Sequence, residues 1–159
     1  MTFRTGIGYD IHRLVPGRPL WLGGVLIPFD KGLEGHSDAD ALLHAVIDAL
    51  LGAAALPDIG HYFPPSDPAI KNIASADMLT KAVSEVQKAG YRVVNVDSVV
   101  VAEAPKIAPY REKMRTEMSK LLGIPLPDVQ VKGKTNEGLD AIGRGEAIGA
   151  HAVVLLEKR

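Results

Sequence analysis

Two short segments of this chain carry residue types that can hold a divalent transition metal next to a phosphate. They are Asp10-Ile11-His12, and His36-Ser37-Asp38-Ala39-Asp40 followed closely by His44. One carboxylate and two imidazoles make a nitrogen-and-oxygen set of three ligands, which on zinc leaves a fourth tetrahedral position open to water or substrate. Such a site is catalytic rather than structural. The same residues also have a plainer reading, as a turn aspartate, a strand-end polar group and a satisfied core histidine.

The elements that would carry them can be read locally. Arg4 to His12 lacks a helical apolar period and is punctuated by Gly6 and Gly8, so it reads as a strand, with Asp10 and His12 on one face and Ile11 on the other. The second segment reads as a helix start, with Ser37 as N-cap, Asp40 as the acidic partner three residues on, and an apolar run ending at Gly52. That helix is apolar almost all round, which predicts burial. Its only polar residues after Asp40 are His44 and Asp48, four apart on one face. Asp48 is placed to orient the imidazole or to touch a ligand, although a buried His–Asp pair can be purely structural.

Further along, Pro19 to Leu22 and Val25 to Pro28 flank Gly23-Gly24 as a hairpin. Pro57 to Pro68 is a loop dense in turn formers. Helical period returns at Met78, Leu79, Ala82, Val83 and Val86, with Ser75 as cap and Gly90 as stop. Tyr91 to Ala102 is β-rich. Pro109 opens a further helix through Tyr110, Met114, Met118, Leu121 and Leu122, ending at Gly123. Val129 to Lys132 and Ala147 to Leu156 read as strands. Interleaved strands and helices predict one compact α/β domain of α+β type over residues 1–159, a mixed sheet covered by helices.

With 159 residues, 47% of them hydrophobic, the chain can bury one core and is too short for two. A net charge of −1 removes the basis for non-specific binding to nucleic acid or an anionic membrane. There is no cysteine, so disulfides and thiolate metal sites are excluded and His, Asp and Glu remain as ligands. No apolar run reaches transmembrane length, and Met1 to Arg4 leads directly into the first strand, which predicts a cytoplasmic address.

Two glycine motifs fail their own tests. Gly133-Lys134-Thr135 resembles the end of a P-loop, but Asp128 stands where that motif needs glycine. Gly143-Arg144-Gly145 lacks the third glycine of a dinucleotide fingerprint and enters a strand. Lys132, Lys134, Thr135 and Arg144 still supply cations and a hydroxyl suited to phosphoryl oxygens, or form a solvated basic loop.

Taken together, Asp10-x-His12, the run from His36 to His44, Asp58-Ile59-Gly60, Phe63-Pro-x-Ser-Asp67, Ala104-Pro-Lys106, Lys134-Thr-x-Glu137 and Gly-Arg144-Gly-Glu146 occur in the order and spacing of the 2-C-methyl-D-erythritol 2,4-cyclodiphosphate synthase family. This resemblance covers nearly the whole chain. It implies a homotrimer with active sites between neighbouring subunits. It also implies cyclisation of 4-diphosphocytidyl-2-C-methyl-D-erythritol 2-phosphate, with release of CMP, in the non-mevalonate isoprenoid pathway. A zinc phosphohydrolase giving a linear product, and a non-catalytic trimeric metal and nucleotide binder, are the competing readings.

By the same resemblance, Asp10, His12 and His44 are the zinc ligands, with a substrate phosphate oxygen in the fourth position. Glu137 holds a second divalent ion, magnesium or manganese, that bridges the substrate phosphates. His36 and Thr135 steady the transition state, with Ser37 in the same region, and Lys134, Asn136 and Arg144 are further substrate-binding candidates. Asp58, Ile59 and Gly60 hold the erythritol hydroxyls, and Phe63, Pro64, Pro65, Ser66 and Asp67 extend that wall. Ala102, Glu103, Ala104, Pro105, Lys106, Ile107 and Ala108 form the cytidine loop, supplied by the adjacent subunit. Lys134 and Asn136 replace common threonines, Pro65 and Ser66 replace Asp and Thr, and Ala141 replaces an aromatic. Ile7 stands where relatives that bind an isoprenoid diphosphate on the trimer axis can have histidine, so that partner is an open expectation here.

Overall fold

The computed structural model describes residues 1–159. Strand β1 (Phe3–Pro16) runs past the expected end at His12. Strands β2 (Leu20–Leu22) and β3 (Val25–Ile27) form the predicted hairpin, and Gly23 and Gly24 both take the positive φ that a primed turn demands. A short strand, β4 (Lys31–Leu33), follows and was not foreseen, since three residues carry no period. Helix α1 (Ala41–Ala53) and the one-turn helix α2 (Ile59–Tyr62) lead to α3 (Ser75–Lys88). Then come β5 (Tyr91–Val101), α4 (Arg111–Leu122), β6 (Val129–Lys134), the short α5 (Asp140–Gly143) and β7 (Ala147–Lys158).

The main sheet has the order β4-β1-β7-β5-β6. Only β5 and β6 are parallel, joined by a crossover through α4, so the sheet is mixed as expected. The architecture is a single α+β domain.

Backbone sterics decide how α1 sits on this sheet. A Cβ on Gly8 would lie 1.8 Å from the Ala45 carbonyl oxygen, and one on Gly6 would lie 1.9 Å from that of Ala49. Glycine at both positions lets β1 and α1 touch backbone to backbone, bringing Asp10 and His12 under His44. As its composition predicted, α1 is buried all round except at His44, Asp48 and Gly52. Helix α3 packs on α1, α4 and β5 and buries Met78, Leu79, Ala82, Val83 and Val86, while α4 buries Met114, Met118 and Leu122.

Several local expectations need correction. Helices cover one sheet face only, and the other leaves Phe3, Ile7, Tyr9, Ile11 and Val153 exposed. The N-cap of α1 is Asp40, not Ser37: its carboxylate accepts the Leu43 amide at 3.0 Å and also the Gly23 and Gly24 amides at 2.9 and 2.8 Å. Residues 36–39 form a turn instead, with Ala39 at positive φ. Ser75 is the first residue of α3 rather than its cap, because its hydroxyl is directed at Asp38 and His44. Pro109 lies in a 3-10 turn before α4. The loop of residues 57–68 contains α2, capped by Asp58, and Asp67 caps a 3-10 turn at Pro68–Ile70.

Candidate active site

Alternation along β1 does what the sequence requires. Asp10 and His12 turn toward α1 and meet His44 at the end of its first turn. The Asp10 Oδ2 atom is 2.8 Å from His12 Nε2 and 3.1 Å from His44 Nδ1, and the two ring nitrogens are 3.3 Å apart. These three atoms surround one point, and each residue is partly buried.

Proton placement agrees with a ligand role. The Nδ1 of His12 lies 2.8 Å from the Glu34 carbonyl oxygen, which can only accept, so in the neutral ring Nδ1 carries the proton and Nε2 offers a lone pair. Burial pulls the Asp10 carboxyl upward, but hydrogen bonds and charge from His12 and His44 outweigh it and hold Asp10 at about 2. Burial disfavours the charged form of His12, yet Asp10 keeps its pKa above the ordinary histidine value. An ionised carboxylate and two imidazoles, that of His12 with its tautomer set by the Glu34 carbonyl, fit a zinc-type ion by donor chemistry.

The rear of His44 is where the expectation of Asp48 fails. Asp48 accepts the Ile59 amide at 2.8 Å, fastening α2 to α1, and burial pushes its carboxyl up. The partners of His44 Nε2 are instead the Ser75 hydroxyl at 2.9 Å and the Ser37 hydroxyl at 3.3 Å. Ser37 is buried and also accepts the Ala39 amide, so its hydroxyl faces the back of the histidine, away from the ligand atoms. The turn carrying His36 and Ser37 is clamped on both sides: Arg18 donates to the Ser37 carbonyl at 2.8 Å, and the Asn72 amide to the His36 carbonyl at 2.7 Å. The His36 ring is exposed.

A second region gathers at the ends of β5 and β6. Ala102, Glu103, Pro105, Lys106, Ile107, Ala108, Lys134 and Thr135 line one cleft of about 440 Å³ with Arg111, Lys132 and Gly133. Gly133 is required, since a Cβ there would come within 2.8 Å of the Ile107 Cβ. The Glu103 carboxylate accepts the Asn136 amide at 2.8 Å, holding the turn that presents Thr135 and Glu137. Asn136 donates to Asp140, the Glu137 amide donates to the Thr135 hydroxyl, and both Thr135 and Glu137 are exposed. None of Asp10, His12 or His44 lines this cleft.

Other anticipated residues lie apart. Arg144 pairs with Glu146 at 2.9 Å, whereas Lys132 stays at the β5/β6 cleft while pairing with Asp97 at 2.8 Å. Phe63 belongs to the core, with the Lys81 ammonium 5.2 Å from its ring centre, while Pro65, Ser66 and Asp67 are exposed beyond it. Asp58 accepts the His61 amide, and Gly60 beside it is exposed.

A model of the YgbB family matches residues 3–157. The chain belongs to the YgbB family. A relative from Desulfatibacillum aliphaticivorans, named 2-C-methyl-D-erythritol 2,4-cyclodiphosphate synthase, is 58% identical over 154 residues, covering 97% of this chain and 99% of the relative. Among solved structures, the bifunctional IspDF of Campylobacter jejuni superposes with a TM-score of 0.96 at 37% identity over 99% of this chain, which spans 43% of that longer protein. A 2C-methyl-D-erythritol-2,4-cyclodiphosphate synthase in a CDP-bound form gives a TM-score of 0.90 at 40% identity, covering 97% of this chain and all of its own. Cyclodiphosphate synthases are enzymes of the lyase class, and YgbB membership carries that function in isoprenoid synthesis to this chain.

Within this YgbB chain, sequence reasoning passed over three contributors to the metal end of the site. Ser75 and Asp38 stand behind His44, and the Glu34 carbonyl stands behind His12. Ser75 was visible as a polar residue before a helix, but nothing local shows that it faces a histidine 31 positions earlier. A main-chain carbonyl leaves no signal at all. The chain has no helix long and apolar enough to cross a membrane.

Proposed function

We propose that this chain converts 4-diphosphocytidyl-2-C-methyl-D-erythritol 2-phosphate to 2-C-methyl-D-erythritol 2,4-cyclodiphosphate and CMP, by intramolecular attack of the 2-phosphate on the β-phosphorus. The observation that carries this reading is the convergence of Asp10 Oδ2, His12 Nε2 and His44 Nδ1 on one point in a YgbB chain. Those three residues would hold zinc, and the exposed carboxylate of Glu137 would hold magnesium or manganese; together the ions supply charge neutralisation at the substrate phosphates.

The chain's own groups do the rest. The substrate brings its nucleophile, so no catalytic serine or cysteine is needed and positioning supplies much of the rate. His36, on a turn whose carbonyl accepts the Asn72 amide, and Thr135, on a turn held by the Glu103 carboxylate, are both exposed and are assigned to steadying charge on the transferring phosphoryl group. Lys106 and Lys134 line the β5/β6 cleft and suit its occupation by the cytidine diphosphate end. The CDP-bound form of the similar synthase supports that assignment. Asp58 and Gly60 are assigned the erythritol hydroxyls, and the exposed Pro65 to Asp67 segment the exclusion of water that would otherwise hydrolyse the diphosphate.

Separation of the metal triad from the β5/β6 cleft, together with the bare apolar sheet face, favours a homotrimer in which one subunit's cleft completes its neighbour's triad. Phosphorus NMR of the purified protein with zinc, magnesium and substrate tests the whole reading. CMP together with coupled cyclic diphosphate signals is the expected result. CMP with a linear diphosphate would make the protein a hydrolase, and unchanged substrate in a metal-loaded protein would make it a binding module.

A further inference from the structure

His44 faces the metal point with Nδ1, and a histidine can ligate through that atom only when the proton sits on Nε2. What places it there is not Asp48, nor any other residue of α1. Asp38 accepts three hydrogen bonds: from the Ser75 amide to Oδ2 at 3.0 Å, from the Asp40 amide to Oδ1 at 3.2 Å, and from the Ser75 hydroxyl to Oδ1. All three partners are donors, so the Asp38 carboxylate is committed as an acceptor. The Ser75 hydroxyl must therefore turn its proton to Asp38 and its lone pairs to His44, whose Nε2 lies 2.9 Å away. Ser75 is fully buried, which denies water the chance to substitute for either partner. The polarity of the chain runs one way, from His44 Nε2–H to Ser75 Oγ–H to Asp38.

We propose that Ser75 and Asp38 are positioning residues that lock His44 in its Nε2–H tautomer and thereby set the zinc affinity of the site. The inference rests on the metal reading of the triad. Ser37 makes the longer contact at 3.3 Å; its hydroxyl accepts the Ala39 amide and keeps a rotatable proton, so it can meet either tautomer and the shorter contact to Ser75 decides between them. Without metal, the Asp10 carboxylate 3.1 Å from Nδ1 draws the proton the other way, but that opposite tautomer would leave the His44 Nε2 lone pair facing the lone pairs of a serine whose proton is held by Asp38, so the lock is the pull of Ser75 and Asp38 against that of Asp10. The lock also ties the metal end of the site to the first turn of α3, far from β1 in sequence.

Two variants act on the lock differently. Ser75→Ala removes its middle member. Asp38→Asn replaces an acceptor-only group with one that can donate to Ser75, which turns the hydroxyl proton toward His44 and favours the Nδ1–H tautomer. The test combines long-range ¹⁵N–¹H NMR of the histidine rings in the metal-free protein with zinc titration against a chromophoric chelator. Far-UV circular dichroism confirms folding of each variant.

In the wild-type protein His44 should show the Nε2–H pattern at a pH where the ring is neutral. Asp38→Asn should shift it toward Nδ1–H, and both variants should weaken zinc binding by about tenfold to a hundredfold. Variants that keep the wild-type tautomer and bind zinc within about twofold of it overturn the proposal. Should neither variant fold, the wild-type spectrum still decides, since a native Nδ1–H pattern at His44 overturns the lock by itself. Wild-type protein that takes up no zinc removes the metal reading and the lock with it, whereas tight wild-type zinc with unaffected variants removes the lock alone.

Discussion

The Nε2 atom of His12 lies 2.8 Å from the Oδ2 atom of Asp10, and this pair gives the metal-free protein a defined response to pH. Burial raises Asp10, but His12 and His44 pull it from an ordinary 3.8 to about 2, so its contribution to stability is present above the unfolded carboxylate pKa and is lost as pH falls through about 2. Burial lowers His12 while Asp10 raises it above 6.5, so its contribution is complete below 6.5 and is lost as pH rises through the elevated value. The stabilising window therefore lies between the two unfolded values, 3.8 and 6.5.

Zinc must displace the His12 proton, so its uptake should release protons near neutrality and tighten as pH rises. Calorimetry in two buffers of different ionisation enthalpy reads this directly. A zinc-binding heat independent of the buffer at neutral pH would count against the pairing.

Asp40 ties the hairpin turn to the start of α1 through three amide donors. Replacing it by alanine removes a helix cap and leaves the buried Gly23 amide and its neighbour without partners, at a cost of about 2 to 5 kcal/mol. Chemical denaturation should show a lower midpoint with an unchanged slope. A loss below about 1 kcal/mol would mean that water or another acceptor reaches those amides.

Gly8 governs the distance between the two ligand-bearing elements. A Cβ at that position would meet the Ala45 carbonyl at 1.8 Å, and neither partner is a flexible side-chain tip. Gly8→Ala should therefore push α1 away from β1, costing about 1 to 3 kcal/mol or more. Because His44 directly precedes Ala45, zinc affinity should fall as well. Preserved stability with preserved zinc binding would show that the close approach is not needed.

How much of this was legible beforehand depends on how local each signal is. Alternation put Asp10 and His12 on one face, and the unbroken apolar surface of α1 announced its burial, because both follow from period alone. Met78 to Val86 declared the face of α3 in the same way. The cap of α1 was misplaced by three residues, since Ser37 and Asp40 are both good caps and only the hairpin amides, brought in by tertiary folding, decide for Asp40. Asp48 and Ser75 depart from expectation for a similar reason. Sequence spacing shows that Asp48 shares a face with His44, but it cannot show that the Ile59 amide claims the carboxylate or that α3 delivers a hydroxyl to the imidazole. The bare sheet face was not read from the sequence, where alternation set only Ile11 opposite the ligands, and it becomes evident once β7 is paired beside β1.

Ile7 and Val153 face each other across β1 and β7, 72% and 49% exposed, at the middle of that uncovered surface. With Phe3, Tyr9 and Ile11 they make an apolar patch that an isolated chain would leave in water, which a homotrimer would bury. Light scattering should accordingly find about three times the mass of one chain. Ile7→Glu and Val153→Glu place a charge on the patch without touching the opposite face, where Asp10, His12 and His44 lie. Each variant should shift the protein to monomers that still bind zinc through the intact triad but have lost most of their cyclising activity, since the cytidine cleft would no longer sit beside a neighbour's metal. Monomeric wild-type protein with full activity would show instead that one chain closes its own cleft over its own triad.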